Sequence, residues 1–296
     1  MDNNKPKTLH LIGYASDAGG AKAGSAAGPE VLQKSPFLAQ LEKHGIKLEW
    51  DKILKPLDSS SPKDQTVVQL CRELADRVYQ LAIDEKFFVV FGGDHSSAIG
   101  TWSGAFQAVK QQGSLGLIWI DAHMDSHTPE TSPTGNIHGM PVASLLGYGL
   151  PEYTELMSHH HKLDPRHLCL IGIRSFEPGE AELIKRLNVR VFFMEEVKQR
   201  GLEIIMQEAI LHVTQQTAGF GVSIDIDSMD PKDAPGTGVQ EPDGIPASEL
   251  IHGLRLIAGH PKLMGVEIVE FDPKRDQNHL TEKLIPELLR SLTLGK

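Results

Sequence analysis

The chain reads as an α/β protein, a single three-layer α/β/α domain over residues 1–296 built on a mostly parallel sheet. Three observations predict this. Short apolar runs, too brief and too branched or aromatic for most helices, alternate with longer segments that place apolar residues at helical spacing. Most of the runs lack polar alternation, which is the pattern of strands buried on both faces of a helix-covered parallel sheet. The length of 296 residues, with 40% hydrophobic and 23% charged residues, suits one large core and excludes a disordered chain.

The elements follow in order. Leu9–Gly13 is the first expected strand. The Gly-rich stretch GGAKAGSAAGPE (Gly19–Glu30) lacks both GxGxxG and the Lys-Ser/Thr of a phosphate loop, so it reads as a loop with Pro29 opening a helix. Asp64–Asp84 is an amphipathic helix, and Phe87–Phe91 and Leu115–Ile120 are strands. The polar triplet His159-His160-His161 reads as solvated surface ahead of strand Leu168–Ile173. Helix Gly179–Leu187, strands Val189–Phe193 and Gly219–Ile226, helix Ala247–Ala258, strand Leu263–Val269 and helix Thr281–Leu292 complete the pattern.

Composition narrows the partners. With 39 Asp and Glu against 29 Lys and Arg, the formal charge is −10, so nucleic acid and anionic membrane surfaces are not expected partners. Cys71 and Cys169 sit among apolar residues without CxxC spacing, as small buried hydrophobes in a reducing compartment. No apolar run approaches the ~20 residues of a membrane helix. The amino terminus has Lys5 and Lys7 but no apolar core with a cleavage site, so a cytoplasmic location is expected.

The chemistry gathers at three strand ends: FGGDHSS after Phe87–Phe91, DAHMD after Leu115–Ile120, and SIDIDSMDP at the end of Gly219–Ile226. In a parallel sheet these fall on one edge, where functional groups collect. In an extended backbone Asp121, His123 and Asp125 turn to one face, and so do Asp225 and Asp227. With His95 they make four carboxylates and two imidazoles. That is too many for one tetrahedral ion and enough for two ions sharing carboxylates. Oxygen-rich coordination with one imidazole per ion suits manganese, although imidazole also suits zinc, nickel and cobalt. The structural alternative is that Asp94 and Asp121 cap helices and His95 is a core histidine. Three such clusters on one sheet edge weigh against it, because gathered carboxylates repel one another unless a cation compensates.

GGDHS, DAHMD and SIDIDSMDP resemble, in order and spacing, the three metal-binding motifs of the arginase/agmatinase (ureohydrolase) family, over nearly the whole chain. The resemblance implies two manganese ions per chain. One would be held by His95, Asp121, Asp125 and Asp225, the other by Asp121, His123, Asp225 and Asp227, with Asp121 and Asp225 bridging. TSPTGNIHGMPVASLLG looks like the arginase version of the family's substrate loop, which makes Ser132, Thr134, Asn136 and His138 site residues. Glu270, in VEIVEFDP, is implied as the carboxylate that grips a guanidinium. The family is commonly trimeric or hexameric, so a homo-oligomer is implied.

Three departures bear on substrate. His127 stands where arginases usually carry Asn, and RSFEP replaces R-D-x-D-P, so that Ser175 and Glu177 occupy the two aspartate positions. APGTGVQEPDG looks closer to the agmatinase version, with Val239 and Gln240 in place of Thr-Pro. The implied reaction is hydrolysis of the guanidinium of L-arginine to urea and L-ornithine. Asp125 would relay the first proton and His138 would shuttle protons to the leaving amine. Ser132, Thr134, Asn136 and His127 would meet the α-carboxylate, and Glu177 the α-ammonium. The alternative is a sister enzyme acting on agmatine, guanidinobutyrate or formiminoglutamate. A non-catalytic metal-binding protein of the same fold would not need Glu270 and a proton shuttle.

Overall fold

Eight runs of the chain pair edge to edge in the computed structural model, which describes residues 7–58 and 61–294. They are β1 (Lys7–Tyr14), β2 (Ile46–Leu54), β3 (Phe88–Gly92), β4 (Ser114–Ile120), β5 (Leu168–Ile173), β6 (Arg190–Phe193), β7 (Thr217–Asp225) and β8 (Leu263–Val269). Every pairing is parallel, in the order β2-β1-β3-β8-β7-β4-β5-β6. The seven expected strands are present within about two residues of their ends, and the sheet is wholly rather than mostly parallel. Lys5, on which the reading of the amino terminus partly rests, lies outside the described residues.

The eighth strand, β2, went unread because it is an edge strand, paired only with β1. Lys47, Asp51 and Lys52 face solvent, and only Ile46 and Leu54 at its ends are fully buried. Charged edges of this kind discourage pairing with other chains, and they break up the apolar run that marks a central strand.

Alternation along each central strand feeds two cores. Val89, Phe91, Ile118, Ile120, Val222 and Ile224 point to one face, beneath helices Leu202–Thr214, Ala247–Arg255 and Leu280–Leu294. Phe88, Val90, Leu117, Trp119, Leu168 and Leu170 point to the other, beneath helices Lys63–Ile83 and Ser97–Val109. Burying each large apolar side chain contributes about 1.5–3 kcal/mol, so neither face can be left open. The result is the three-layer arrangement expected.

Helix Ser97–Val109 escaped sequence reading because SAIGTWSGAF is poor in helix formers. Its glycines serve packing. A Cβ at Gly100 would lie 2.6 Å from the Cys71 carbonyl oxygen, and one at Gly104 would lie 2.3 Å from that of Ala75. The two helices therefore approach backbone to backbone. Cys71 and Cys169 are free, buried thiols, as expected. No helix among the described residues is long and apolar enough to cross a membrane.

The strand order positions the chemistry. After β3 the chain skips two places to lay down β4, and β7 and β8 later fill that gap. The carboxyl ends of β3, β8, β7 and β4 thereby become neighbours, as at a topological switch point.

Candidate active site

Each of those four central strands delivers one side chain or motif to the same place: His95 follows β3, Glu270 follows β8, Asp225 ends β7 and Asp121 follows β4. His95 is buried and stacked on Trp119, the ring centroids 4.0 Å apart. Its Nε2 meets Ser223 Oγ at 2.9 Å. Its Nδ1 lies 3.2 Å from Asp121 Oδ2, 3.0 Å from Asp125 Oδ2 and 3.2 Å from Asp225 Oδ2. Despite that crowding, Nδ1 has no partner of hydrogen-bond geometry among the described residues. A donor atom aimed between three carboxylates fits a cation better than a proton.

His123 completes a second cluster, its Nδ1 3.1 Å from Asp227 Oδ2 and 3.5 Å from Asp121 Oδ1. One donor atom from each of His95, Asp121 and Asp225 falls within 4.8 Å of the others, and the same holds for Asp121, His123 and Asp227. Asp121 is common to both clusters and presents one oxygen to each. Asp225 belongs to the first, and its Oδ1 also accepts the Asp227 backbone N–H at 2.9 Å. Donors of this composition, mostly carboxylate oxygen with one imidazole per cluster, suit a hard or borderline divalent ion.

The convergence is not reached through extended strands, which corrects the alternation read from sequence. DAHMD lies beyond β4, and Asp125 is left-handed with φ 48°. Ile226–Ser228 is a 3₁₀ turn, so Asp225 and Asp227 meet through a tight turn. Glu270 is also left-handed, with φ 65°. Left-handed backbone at non-glycine residues costs on the order of 1–3 kcal/mol each and persists only where surrounding contacts impose it.

Electrostatics are severe here. Burial, with Asp227 and Asp121 beside it, pushes the Asp225 carboxyl well above its usual range. Burial lifts Asp227 to about 6 against the pull of His123, and lifts Asp125 with help from the Asp121 charge. Burial also acts to raise Asp121, but the His123 and His95 rings beside it overcome this and hold the group low. Burial acts to lower both imidazoles, yet the surrounding carboxylates lift them well above the usual value. Positive charge is needed in both clusters, and divalent cations supply more of it than two imidazolium rings.

Above them opens a cavity of about 200 Å³. His95, His123, Asp125, Asp225 and Asp227 contribute to its lining, as do Ser132, Thr134 and Asn136 of the predicted substrate loop. Asp121 is wholly buried and takes no part in the lining. Glu270 and His138 form one wall as a pair, His138 Nδ1 to Glu270 Oε1 at 3.1 Å. Glu270 Oε1 also accepts the His95 backbone N–H at 3.0 Å. Burial acts to lower the His138 imidazole, but Glu270, with Asp125 and Asp94 nearby, outweighs it and raises the group from 6.5 to about 9.

A raised histidine stabilises the fold fully below its unfolded value and loses that contribution as pH rises through the folded one. In metal-free protein the stability difference between wild type and His138→Asn should therefore be largest below pH 6.5 and disappear only as pH rises past about 9. Melting temperatures across that range would test it. A constant difference would mean that the pair does not act through charge.

The remaining predicted residues also line the cavity. His127 uses both ring nitrogens within the protein, Nδ1 toward Thr131 Oγ1 at 3.2 Å and Nε2 toward Glu177 Oε2 at 3.0 Å. Glu177 is the N-cap of helix Pro178–Leu187 and forms a capping box with Glu180. Glu180 lines the cavity but was not read from sequence, where its E-x-x-E spacing marks only a helix start. Burial pushes its carboxyl up to about 8. Asp94 proves structural, accepting the Gly19 and Ser96 backbone N–H groups at 2.7 and 2.9 Å.

Comparison with known proteins agrees with this site. The sequence model of the arginase family matches residues 7–295. Arginase from Brevibacillus brevis is 36% identical over 294 residues, 97% of each chain. The crystal structure of arginase from Bacillus subtilis superposes with a TM-score of 0.89 at 35% identity, covering 98% of this chain and 99% of that one. Entamoeba histolytica arginase in complex with L-ornithine gives a TM-score of 0.88 at 30% identity, covering 97% and 98%. Nearly full-length likeness of sequence and fold, around a site built from all three motifs, establishes that the chain belongs to the arginase family and is a hydrolase of the arginase-type ureohydrolase class.

Proposed function

We propose that this chain hydrolyses the guanidinium of L-arginine to urea and L-ornithine, with two manganese ions held by His95, Asp121, His123, Asp125, Asp225 and Asp227. The observation that carries this reading is that the Glu270–His138 pair lines the same cavity as the two His–Asp clusters. A planar cation gripped by a carboxylate there would face the ions. The ornithine complex of the Entamoeba histolytica relative, which holds this reaction's amino-acid product, supports the substrate.

When bound, the two ions supply activation of water as a nucleophile near neutral pH. The chain's own groups do the rest. Glu270 orients the guanidinium, and Asp125 stands within the ligand cluster to take a proton. His138, already hydrogen-bonded to Glu270, carries a proton to the departing amine, which leaves poorly until protonated. Ser132, Thr134 and Asn136 offer donors to an α-carboxylate, and Glu177 and the buried Glu180 offer negative charge to an α-ammonium. With its nitrogens engaged, His127 acts by holding Glu177 rather than by meeting the carboxylate directly.

The test is product release from protein loaded with manganese, reading urea from arginine, agmatine and guanidinobutyrate, and formamide from formiminoglutamate. Arginine should have the highest kcat/KM, since agmatine leaves the carboxylate donors unpaired. Glu177→Gln should weaken arginine hydrolysis by about 10-fold or more, one charge-assisted contact of roughly 1.5–3 kcal/mol, while changing agmatine little. A higher kcat/KM for any other substrate in the unmodified protein transfers the assignment to that sister activity. The same reading places the chain in the cytoplasm, as a single domain assembled into a homo-trimer or hexamer, which sedimentation would measure.

A further inference from the structure

Each inner histidine is met from behind as well as from the front. His95 Nε2 contacts Ser223 Oγ at 2.9 Å, and that hydroxyl reaches the buried Glu267 Oε2 at 3.2 Å. His123 Nε2 faces a different carboxylate, Glu241 Oε1, at 3.6 Å. Glu241 lies on the loop between β7 and β8, far in sequence from the DAHMD motif, and it is not among the residues that line the cavity. Its position behind the ring suits a hold on His123 rather than a contact with substrate.

Two neighbours keep it there. Ser175 Oγ donates to Glu241 Oε1 at 3.3 Å. Arg174 ties the loop down, its guanidinium donating to the carbonyls of Glu241 at 2.9 Å and Pro242 at 3.0 Å, and to that of Asp227 at 2.6 Å. One cation thus staples the loop that carries Glu241 to the turn that carries Asp227. Ser175, a departure from the aspartate of R-D-x-D-P, gains a purpose, because it is the hydroxyl that holds a carboxylate arriving from another segment.

A histidine that binds a metal through Nδ1 carries its proton on Nε2, and an acceptor there fixes both tautomer and ring orientation. We propose that Glu241 is a positioning residue of the metal centre: its carboxylate, 3.6 Å from His123 Nε2, attracts the proton on that nitrogen and so orients the ring toward the ion it would share with Asp121 and Asp227. The inference rests on the two-ion reading above. Ser175 sets the carboxylate's position and Arg174 that of its loop. The outer supports of the two ions are separate, one through Ser223 and Glu267, the other through Glu241.

Calorimetric titration of chelator-stripped full-length protein with Mn²⁺, alongside paramagnetic resonance of the coupled ion pair, tests this. Wild type should take up two ions. Glu241→Ala should weaken one of them by about 10- to 100-fold and leave the other unchanged. It should also diminish the coupled-pair signal at substoichiometric metal, without lowering the melting temperature of the metal-free protein. Glu241→Gln, whose amide oxygen still accepts, should recover part of the affinity, and Ser175→Ala should show a smaller loss of the same ion. Wild type with two ions and Glu241→Ala with both affinities unchanged overturns the role of Glu241 alone. Wild type with fewer than two ions overturns the dinuclear reading, and this inference with it.

Discussion

Replacing Asp121 with Asn should remove both ions' shared ligand and abolish hydrolysis, and Asp225→Asn should do nearly the same. Asn preserves shape while deleting one of the negative charges that the clusters present to a cation. Asp121 is wholly buried and offers one oxygen toward each histidine. Breaking a buried charge pair by removing one partner costs about 3–5 kcal/mol, roughly 10²- to 10³-fold or more in ion affinity. Elemental analysis of manganese-treated protein should find one ion or none in these variants, against two in wild type.

The metal-free variants should part company. Asp225 is raised far above its usual range, so its ionised form destabilises the fold at every pH above the unfolded value of ~3.9. Without metal, Asp225→Asn should therefore melt higher than wild type at neutral pH, and with metal it should melt lower. Asp121 is held below its usual range, and Asp121→Asn should melt lower in both states. Identical melting with and without manganese, in wild type and both variants, would sink the metal assignment.

His138→Asn should slow turnover by roughly 10²- to 10⁴-fold, the range for loss of a general acid or base. Metal content should stay at two ions, since His138 touches Glu270 rather than either cluster. The loss should fall on kcat more than on KM, because the role begins when the amine departs. Asn keeps a polar side chain near Glu270 but cannot carry a proton. Full activity in this variant across a pH series would reduce His138 to a loop residue that orients Glu270.

Much of the site was legible because its signals are local. Asp121, His123 and Asp125 stand within five consecutive residues, and Asp225 and Asp227 within three, each closing a strongly apolar strand. Such clustering of charge beside buried β-structure has few structural explanations. Helix Ser97–Val109 and strand β2 were not legible, one because close packing called for Gly and Ser over helix formers, the other because an edge strand keeps charge on its surface.

By itself the sequence determined the α/β class, seven of eight strands and the six clustered ligand candidates, since each depends on periodicity or short spacing, while the substrate loop was marked only by its resemblance to the family's. Only the tertiary structure decided which strand ends become neighbours, since β7 and β8 enter the sheet between β3 and β4 long after both are made. It also decided that Asp125 and Glu270 are left-handed, that His127 is spent on Glu177, and that Glu180 and Glu241 stand by the site. These relations join residues dozens of positions apart. What brings them together is the burial of two apolar sheet faces, a global requirement that no short window of sequence records.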